Sequence, residues 1–267
     1  MKNNSFSEKH ILISGGSSGI GLALAKDFFR NGAHVTILAR REDQLAEAKR
    51  DIDACRIYPA QELTTISADV VEYEALSVAL GRTRRDVDIL INSAGIAYPG
   101  EFEKLDHEIF SRVMDVNYLG TVNLTKIIIP EMSKKNSGHI VNISSLAAVI
   151  GIYGYSAYAP SKYAVRGFSR CLRAELAAKG ISVSVVLPPD TDTPQLAFEH
   201  SLLPEITKKI NQNGGVLSAE NVSKAIMKGI RNKQFTIIPG LEGKILYLFA
   251  PIFGRYFFHF AVNQQKK

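Results

Sequence analysis

The sequence predicts an α/β fold: one parallel, doubly wound sheet with helices on both faces, a single domain over residues 1–240. Three observations predict it. Short apolar runs of strand character alternate with stretches of helical period along the chain. A glycine-rich loop, Ser14-Gly-Gly-Ser-Ser-Gly-Ile-Gly21, lies between the first such strand and the first such helix. Four polar residues, Arg40, Asp69, Asn92 and Ser145, fall just past strands, and so along one edge of a parallel sheet.

Composition sets the bounds. At 267 residues the chain is long enough to bury a full core. The net charge of +6 is uneven: residues 224–267 hold eight basic side chains against one acid, and the rest of the chain sums to −1. The basicity belongs to the tail, so no nucleic-acid-binding face is expected on the main domain. Cys55 and Cys171 form no CxxC or other metal-ligand pattern, and no metal is expected. With no secretory signal pattern, they point to reduced thiols in a cytosol-facing domain, both placed in the core.

In order, His10 to Ser14 reads as the first strand, and Leu22 to Asn31 continues a helix that stops at Gly32. Between them Gly15 permits a tight turn, Gly19 lets backbone approach a pyrophosphate, and Gly21 allows close helix packing. The helix N-terminus offers free N–H groups to phosphate oxygens. The second strand, His34 to Ala39, ends in Arg40-Arg41. An acid there would hold a ribose 2′-hydroxyl and select NAD, whereas arginine offers a planar fork to a 2′-phosphate. NADP(H) is the expected cofactor; two arginines on a solvated loop are the plain alternative.

A third strand is expected at Leu63 to Ser67, a helix over 71–81 and a fourth strand at Val87 to Ile91, running into Asn92-Ser-Ala-Gly95. Asp106 is placed to cap a long helical region that carries Asn117, an amide that in a helix usually faces solvent or its own backbone. Gly138 to Ile143 reads as a buried strand leading to Ser144 and Ser145. The sixth strand runs from Ile181 to Leu187, and Pro188-Pro-Asp-Thr-Asp-Thr-Pro194 follows. Residues 195–217 have the mixed character of a lid, then a helix (Ser218 to Asn232) and a strand (Gln234 to Ile238) complete the sheet.

Tyr158 and Lys162 stand four residues apart, on one face of a helix. A free tyrosine, with a pKa of about 10, is a poor acid or base at neutral pH. A nearby ammonium lowers that value and makes proton exchange with an alcohol or ketone feasible. Y-x-x-x-K alone occurs by chance in roughly every second chain of this length, so its weight comes from its surroundings.

Taken together, the glycine loop, Asp69, Asn92-Ser-Ala-Gly95, Asn117, Ser145 and Tyr158-Ala-Pro-Ser-Lys162 resemble the short-chain dehydrogenase/reductase family over residues 9–240. The resemblance implies a Rossmann-type fold and a catalytic set of Asn117, Ser145, Tyr158 and Lys162. Tyr158 would be the general acid/base, Lys162 the group that tunes it and binds the nicotinamide ribose. Ser145 would polarise the carbonyl, and Asn117 would hold a water of the proton relay. Cofactor contacts are implied for Gly15, Ser17, Ser18, Gly19, Ile20, Gly21, Arg40, Arg41, Asp69, Val70, Asn92, Ala94, Gly95, Pro188, Thr191 and Thr193. Where the family commonly has Pro-Gly after the sixth strand, this chain has Pro188-Pro189. That string resembles the branch reducing 3-ketodihydrosphingosine, a long-chain ketone of sphingolipid synthesis. Other apolar carbonyls (steroid, retinoid or acyl) and a non-catalytic NADPH-binding role are the alternatives.

The C-terminal segment, 241–267, is apolar and basic. Residues 245–262 carry seven aromatics, yet Pro251, Gly254 and Arg255 interrupt them. A clean bilayer span is not expected. The expectation is contact with a membrane interface, which would put a cytoplasmic enzyme at the cytosolic face of a membrane. Burial in the substrate pocket or in a homo-oligomer contact is the alternative.

Overall fold

The computed structural model describes residues 6–81, 86–211 and 215–250. Strand β1 (His10–Ser14) is buried along its whole length, as expected for a strand covered on both faces. It is followed by α1 (Gly19–Arg30), β2 (His34–Ala39), α2 (Glu42–Asp53), β3 (Leu63–Ser67), α3 (Tyr73–Leu80) and β4 (Ile89–Asn92). Then come α4 (His107–Met114), α5 (Gly120–Lys135), β5 (Gly138–Ile143), α6 (Tyr158–Leu176) and β6 (Ile181–Val186). The last described part holds β7 (Thr191–Asp192), α7 (Pro194–Leu202), α8 (Glu205–Asn211), β8 (Leu217–Ser218), α9 (Ala219–Arg231) and β9 (Thr236–Ile237).

The seven strands of the main sheet lie in the order β3-β2-β1-β4-β5-β6-β9, every neighbouring pair parallel. Strand order reverses between β1 and β4, so a crevice opens beyond their C-terminal ends. Side-chain alternation along β1 splits the core. Ile11 and Ile13 join Phe28, Phe29, Ile52 and Ile226 of α1, α2 and α9 on one face. Leu12 joins Leu76, Leu124, Met132 and Leu172 of α3, α5 and α6 on the other.

Several expectations need adjusting. The helix expected over 71–81 is shorter, and the last strand keeps two residues, Thr236 and Ile237. Asp106 precedes α4 but its carboxylate caps nothing. Cys171 is exposed rather than in the core, because it lies on the outward face of α6, while Cys55 is half-buried. Residues 241–250 are helical, and Leu246 and Tyr247 pack on Leu146, Ala148, Val185 and Leu187. The rest of the aromatic segment, 251–267, lies outside the described residues.

Candidate active site

The glycine loop turns tightly at Gly15 (φ +66°) and Gly19 (φ +52°). A Cβ on Gly15 would lie 2.8 Å from the backbone nitrogen of Ala94, and one on Gly21 would lie 2.2 Å from the Gly15 carbonyl oxygen. Loop, helix start and the strand β4 exit are therefore pressed together main chain to main chain, which only glycine permits. Ser18 precedes α1 in extended conformation without capping it by its side chain, so the first helical N–H groups face the crevice. Ser14 braces the arrangement, its hydroxyl oxygen accepting from the N–H groups of Ser93 and Ala94 at 3.1 Å each. This cradle suits the pyrophosphate of a dinucleotide.

Farther along the same edge, Arg40 stands half-exposed, its guanidinium 3.6 Å from the Asp69 carboxylate. So exposed a pair is weak, and Arg40 stays available to a phosphate. Asp69 also accepts from the Val71 N–H at 3.1 Å. Both residues line a small second cavity with His107 and Arg112, while Arg41 is exposed beside it. Val70 is buried in the α3/α5 core. Asn92 turns away from the crevice: its amide donates to Thr125 Oγ1 at 3.0 Å and to Asn142 Oδ1 at 2.8 Å. Its side chain locks β4 to β5 and α5; of the Asn92-Ser-Ala-Gly95 stretch, Ser93 and Gly95 reach the cavity.

That main cavity, about 420 Å³, lies over the C-terminal ends of β1, β4, β5 and β6. Tyr158 opens α6, which places Pro160 in the first turn, where its missing N–H breaks no helical bond. Lys162 follows one turn later and is 6% exposed. Its ammonium donates to the Ile143 carbonyl oxygen at 3.1 Å and lies 5.5 Å from the Tyr158 ring centre. Ser145 accepts from the Ala147 N–H at 3.1 Å, and its hydroxyl acts to lower the pKa of the Tyr158 phenol.

Asn117 is buried rather than solvent-facing. It sits in a π-helical turn, Asp115–Leu119, that joins α4 to α5. Such turns recur at functional sites. Its side chain accepts from the Ile96 N–H at 2.8 Å and donates to the Ile96 carbonyl oxygen and Ser161 Oγ, each at 2.9 Å. A Cβ on Gly95 would meet both Asn117 Oδ1, at 3.1 Å, and Lys162 Nζ, at 3.3 Å. Gly95 thus brings the amide and the ammonium together.

One expectation is reversed. Lys162 does not hold the Tyr158 phenol below its ordinary value; burial pushes it up, helped by the Glu199 carboxylate, with the Ser145 hydroxyl opposing. The ammonium stands 5.5 Å from the centre of the phenol ring. Burial also lowers Lys162 itself to about 8, against the pull of Glu199. At neutral pH the pair is a protonated phenol beside an ammonium.

The proline-rich string wraps the far wall. Pro188, Thr191 and Thr193 line the cavity, and Thr193 Oγ1 caps α7 by accepting from the Leu196 N–H at 3.2 Å. Thr193 also touches the glycine loop, since a Cβ on Gly19 would fall 3.0 Å from its methyl group. Ser17 is half-buried in the loop but outside the lining, whereas Ser18 and Ile20 belong to it.

Sequence reasoning passed over Tyr155, Glu199, Glu242 and Leu246, all of which line this cavity. Tyr155 lay within the motif region, but no pattern marked it. Glu199 read as one polar residue of a lid. Leu246 and Glu242 read as part of a separate tail.

The family model for short chain dehydrogenase matches residues 9–201. Among curated proteins, 3-dehydrosphinganine reductase of Danio rerio is 38% identical over 89% of this chain and 73% of its own length. The 3-ketodihydrosphingosine reductase of Mus musculus is 36% identical over the same shares. Among solved structures, a short-chain dehydrogenase from Sphingobium yanoikuyae in complex with NADPH superposes with a TM-score of 0.77 at 27% identity. That match covers 87% of this chain and 88% of the other. The chain belongs to the short-chain dehydrogenase/reductase family.

Proposed function

We propose that this protein is an NADPH-dependent reductase of 3-ketodihydrosphingosine, forming dihydrosphingosine. The observation that carries the reading is the meeting of Tyr158, Ser145 and Lys162 on one apolar-walled cavity that continues into the glycine cradle. The relatives' names and the Pro188–Pro194 string support the substrate. The exposed Arg40, with Arg41 beside it, supports NADPH over NADH.

Bound NADPH supplies the hydride; the chain's own residues do the rest. Gly15, Gly19, Gly21 and the start of α1 would hold its pyrophosphate, with Ser17, Ser18 and Ile20 around it. Asp69 and Val70 would serve the adenine end. Ala94, Gly95, Pro188, Thr191 and Thr193 would bound the nicotinamide end, and Lys162 would bind its ribose. Ser145 orients the ketone by hydrogen bonding to its oxygen. Tyr158 then donates its proton to that oxygen as the alcohol forms, and Lys162 stabilises the phenolate left behind. Asn117, locked beside Lys162, positions the ammonium and a water that returns the proton.

A membrane-facing surface fits a lipid substrate. No helix among the described residues is long and apolar enough to cross a membrane. Yet the 241–250 helix lines the cavity through Glu242, Gly243 and Leu246 and exposes Leu241, Ile245, Leu248 and Phe249. These four recur at helical spacing, so they form one stripe. A long-chain ketone could pass from a lipid interface past that stripe into the cavity.

The test is NADPH consumption with a panel of ketones. Reduction of 3-ketodihydrosphingosine well above steroid, retinoid and short acyl ketones is the expected result; preference for another ketone overturns the substrate. For the surface, replacing Leu241, Ile245 and Leu248 with Ser should release the protein from anionic liposomes in a sedimentation assay. Unchanged sedimentation would remove the membrane role.

A further inference from the structure

Glu199, 7% exposed, stands on the wall of the catalytic cavity and takes no part in the proton transfer just described. Two neutral donors aim it. The Tyr155 hydroxyl donates to Oε2 and the Gln195 amide to Oε1, both at 2.9 Å. An ionised carboxylate has about four accepting positions, so roughly half remain open. Among the described residues no basic side chain forms an ion pair with it. Lys162, the basic residue of the cavity wall, is engaged with Ile143 and the Tyr158 ring.

Burial pushes the Glu199 carboxyl up, against the Gln195 and Tyr155 hydrogen bonds, and a cation beside it would offset that cost and hold it ionised. Its position relative to the chemistry is close. Tyr155, its hydrogen-bond donor, packs tilted at 58° against Tyr158 with ring centres 5.8 Å apart, and the Glu199 charge acts on both Tyr158 and Lys162. The cavity wall also carries apolar Ile152, Leu196 and Leu246 and the carboxylates of Asp190 and Glu242, and the Asp190 charge acts on Glu199. A ligand that fits has one positive group close to the reacting carbonyl and a hydrocarbon remainder.

We infer that Glu199, oriented by Tyr155 and Gln195, is the specificity-determining residue that receives a protonated amine on the carbon next to the substrate ketone. The inference rests on the reductase reading above, and it deepens it. 3-Ketodihydrosphingosine is such an α-amino ketone, ionised at neutral pH. Steroid, retinoid and acyl ketones carry no cation there, so the same carboxylate that welcomes the amine would be left buried and unpaired by them. If instead the three side chains merely pin α7 to the start of α6, all substrates would depend on Glu199 alike.

The experiment compares three ketones in detergent micelles with NADPH: 3-ketodihydrosphingosine, its N-acetyl counterpart and its counterpart lacking the amine. Wild type should favour the free amine in kcat/KM by about 10- to 100-fold, the worth of a charge-assisted hydrogen bond. Glu199→Gln keeps the shape and removes the charge; whatever it does through Tyr158 and Lys162 falls on all three ketones, whereas a rise in KM should fall on the amine substrate and erase the preference. Tyr155→Phe should cause a smaller loss, again confined to the amine. NADPH binding and melting temperature report whether each variant is folded. Equal turnover of all three ketones by wild type overturns the inference alone, as does an equal loss on all three in folded Glu199→Gln. No turnover of any of them overturns the reductase reading, and the inference with it.

Discussion

The cavity has two walls made in opposite ways. On the N-terminal side the wall is main chain, with Gly15, Gly19 and Gly21 packed where a Cβ would strike Ala94, Thr193 and Gly15 itself. On the C-terminal side it is side chains from four separate stretches: Ser145, the Tyr155 to Lys162 turn, Thr191 to Glu199, and Glu242 to Leu246. Backbone amides recognise a phosphate in one fixed geometry and tolerate no substitution. Side chains on helices such as α7 can be exchanged without rebuilding the sheet. A wall of the first kind suits a ligand shared across a family, and one of the second kind suits a ligand peculiar to one member.

Substitutions on the two walls should therefore fail differently. The largest effect is expected at Tyr158, where they meet. Tyr158→Phe should lower turnover by about 10²–10⁴-fold, the usual worth of general acid catalysis, with NADPH affinity nearly intact. Single-turnover rates and cofactor fluorescence separate the two; a Phe variant keeping a tenth of wild-type chemistry would falsify the assignment.

Next comes the glycine wall. Gly15→Ala must force a Cβ against the Ala94 backbone at a left-handed φ of +66°. It should weaken NADPH about 10- to 100-fold, in keeping with backbone strain of about 1–3 kcal/mol. Leu196→Ala on the opposite wall should instead raise the KM of the ketone and spare the cofactor. Calorimetric titration with NADPH checks the contrast; equal cofactor losses would show that the walls are not independent.

Arg40→Asp probes the outer end of the cofactor wall. Removing the guanidinium and adding a like charge should raise the NADPH KM about tenfold and leave that of NADH little altered. A parallel loss for both cofactors would mean that Arg40 shapes the β2 exit rather than reading a phosphate.

The smallest effect concerns the floor under both walls. His139 in β5 is buried with its Nε2 2.8 Å from Ser184 Oγ, and burial lowers its pKa to about 4 from the ordinary 6.5. As pH falls from 6.5 toward 4, the unfolded chain takes up this proton before the folded one, so folding stability is lost. Between pH 7.5 and 5.5 the loss should be about 1 kcal/mol. Urea unfolding at the two pH values measures it, and His139→Gln should flatten the dependence. A wild-type stability that holds steady to pH 5 would place the imidazole in contact with water.

Much of this was legible from the chain because it depends on near neighbours. Strand and helix periods, the glycine spacing and the Tyr158–Lys162 turn are set within a few residues, and the observed β2, β3 and β5 coincide with the stretches that periodicity picks out. The sequence by itself determined the sheet, the tight glycine turn and the placing of Tyr158 and Lys162 one turn apart on α6. Asn92 was misplaced toward the crevice because a strand's last side chain points either way, and only pairing with Asn142 and Thr125 decides which. The Tyr158 phenol was misjudged because Lys162 was counted and burial was not; desolvation depends on everything that packs around a group. Glu199 and Leu246 reach the cavity from 41 and 88 residues beyond Tyr158 in the chain, with no local pattern to mark them. Which side chains complete a pocket is settled by how helices such as α7 and residues 241–250 settle on the sheet. That is a property of long-range packing, and tertiary structure alone decided it.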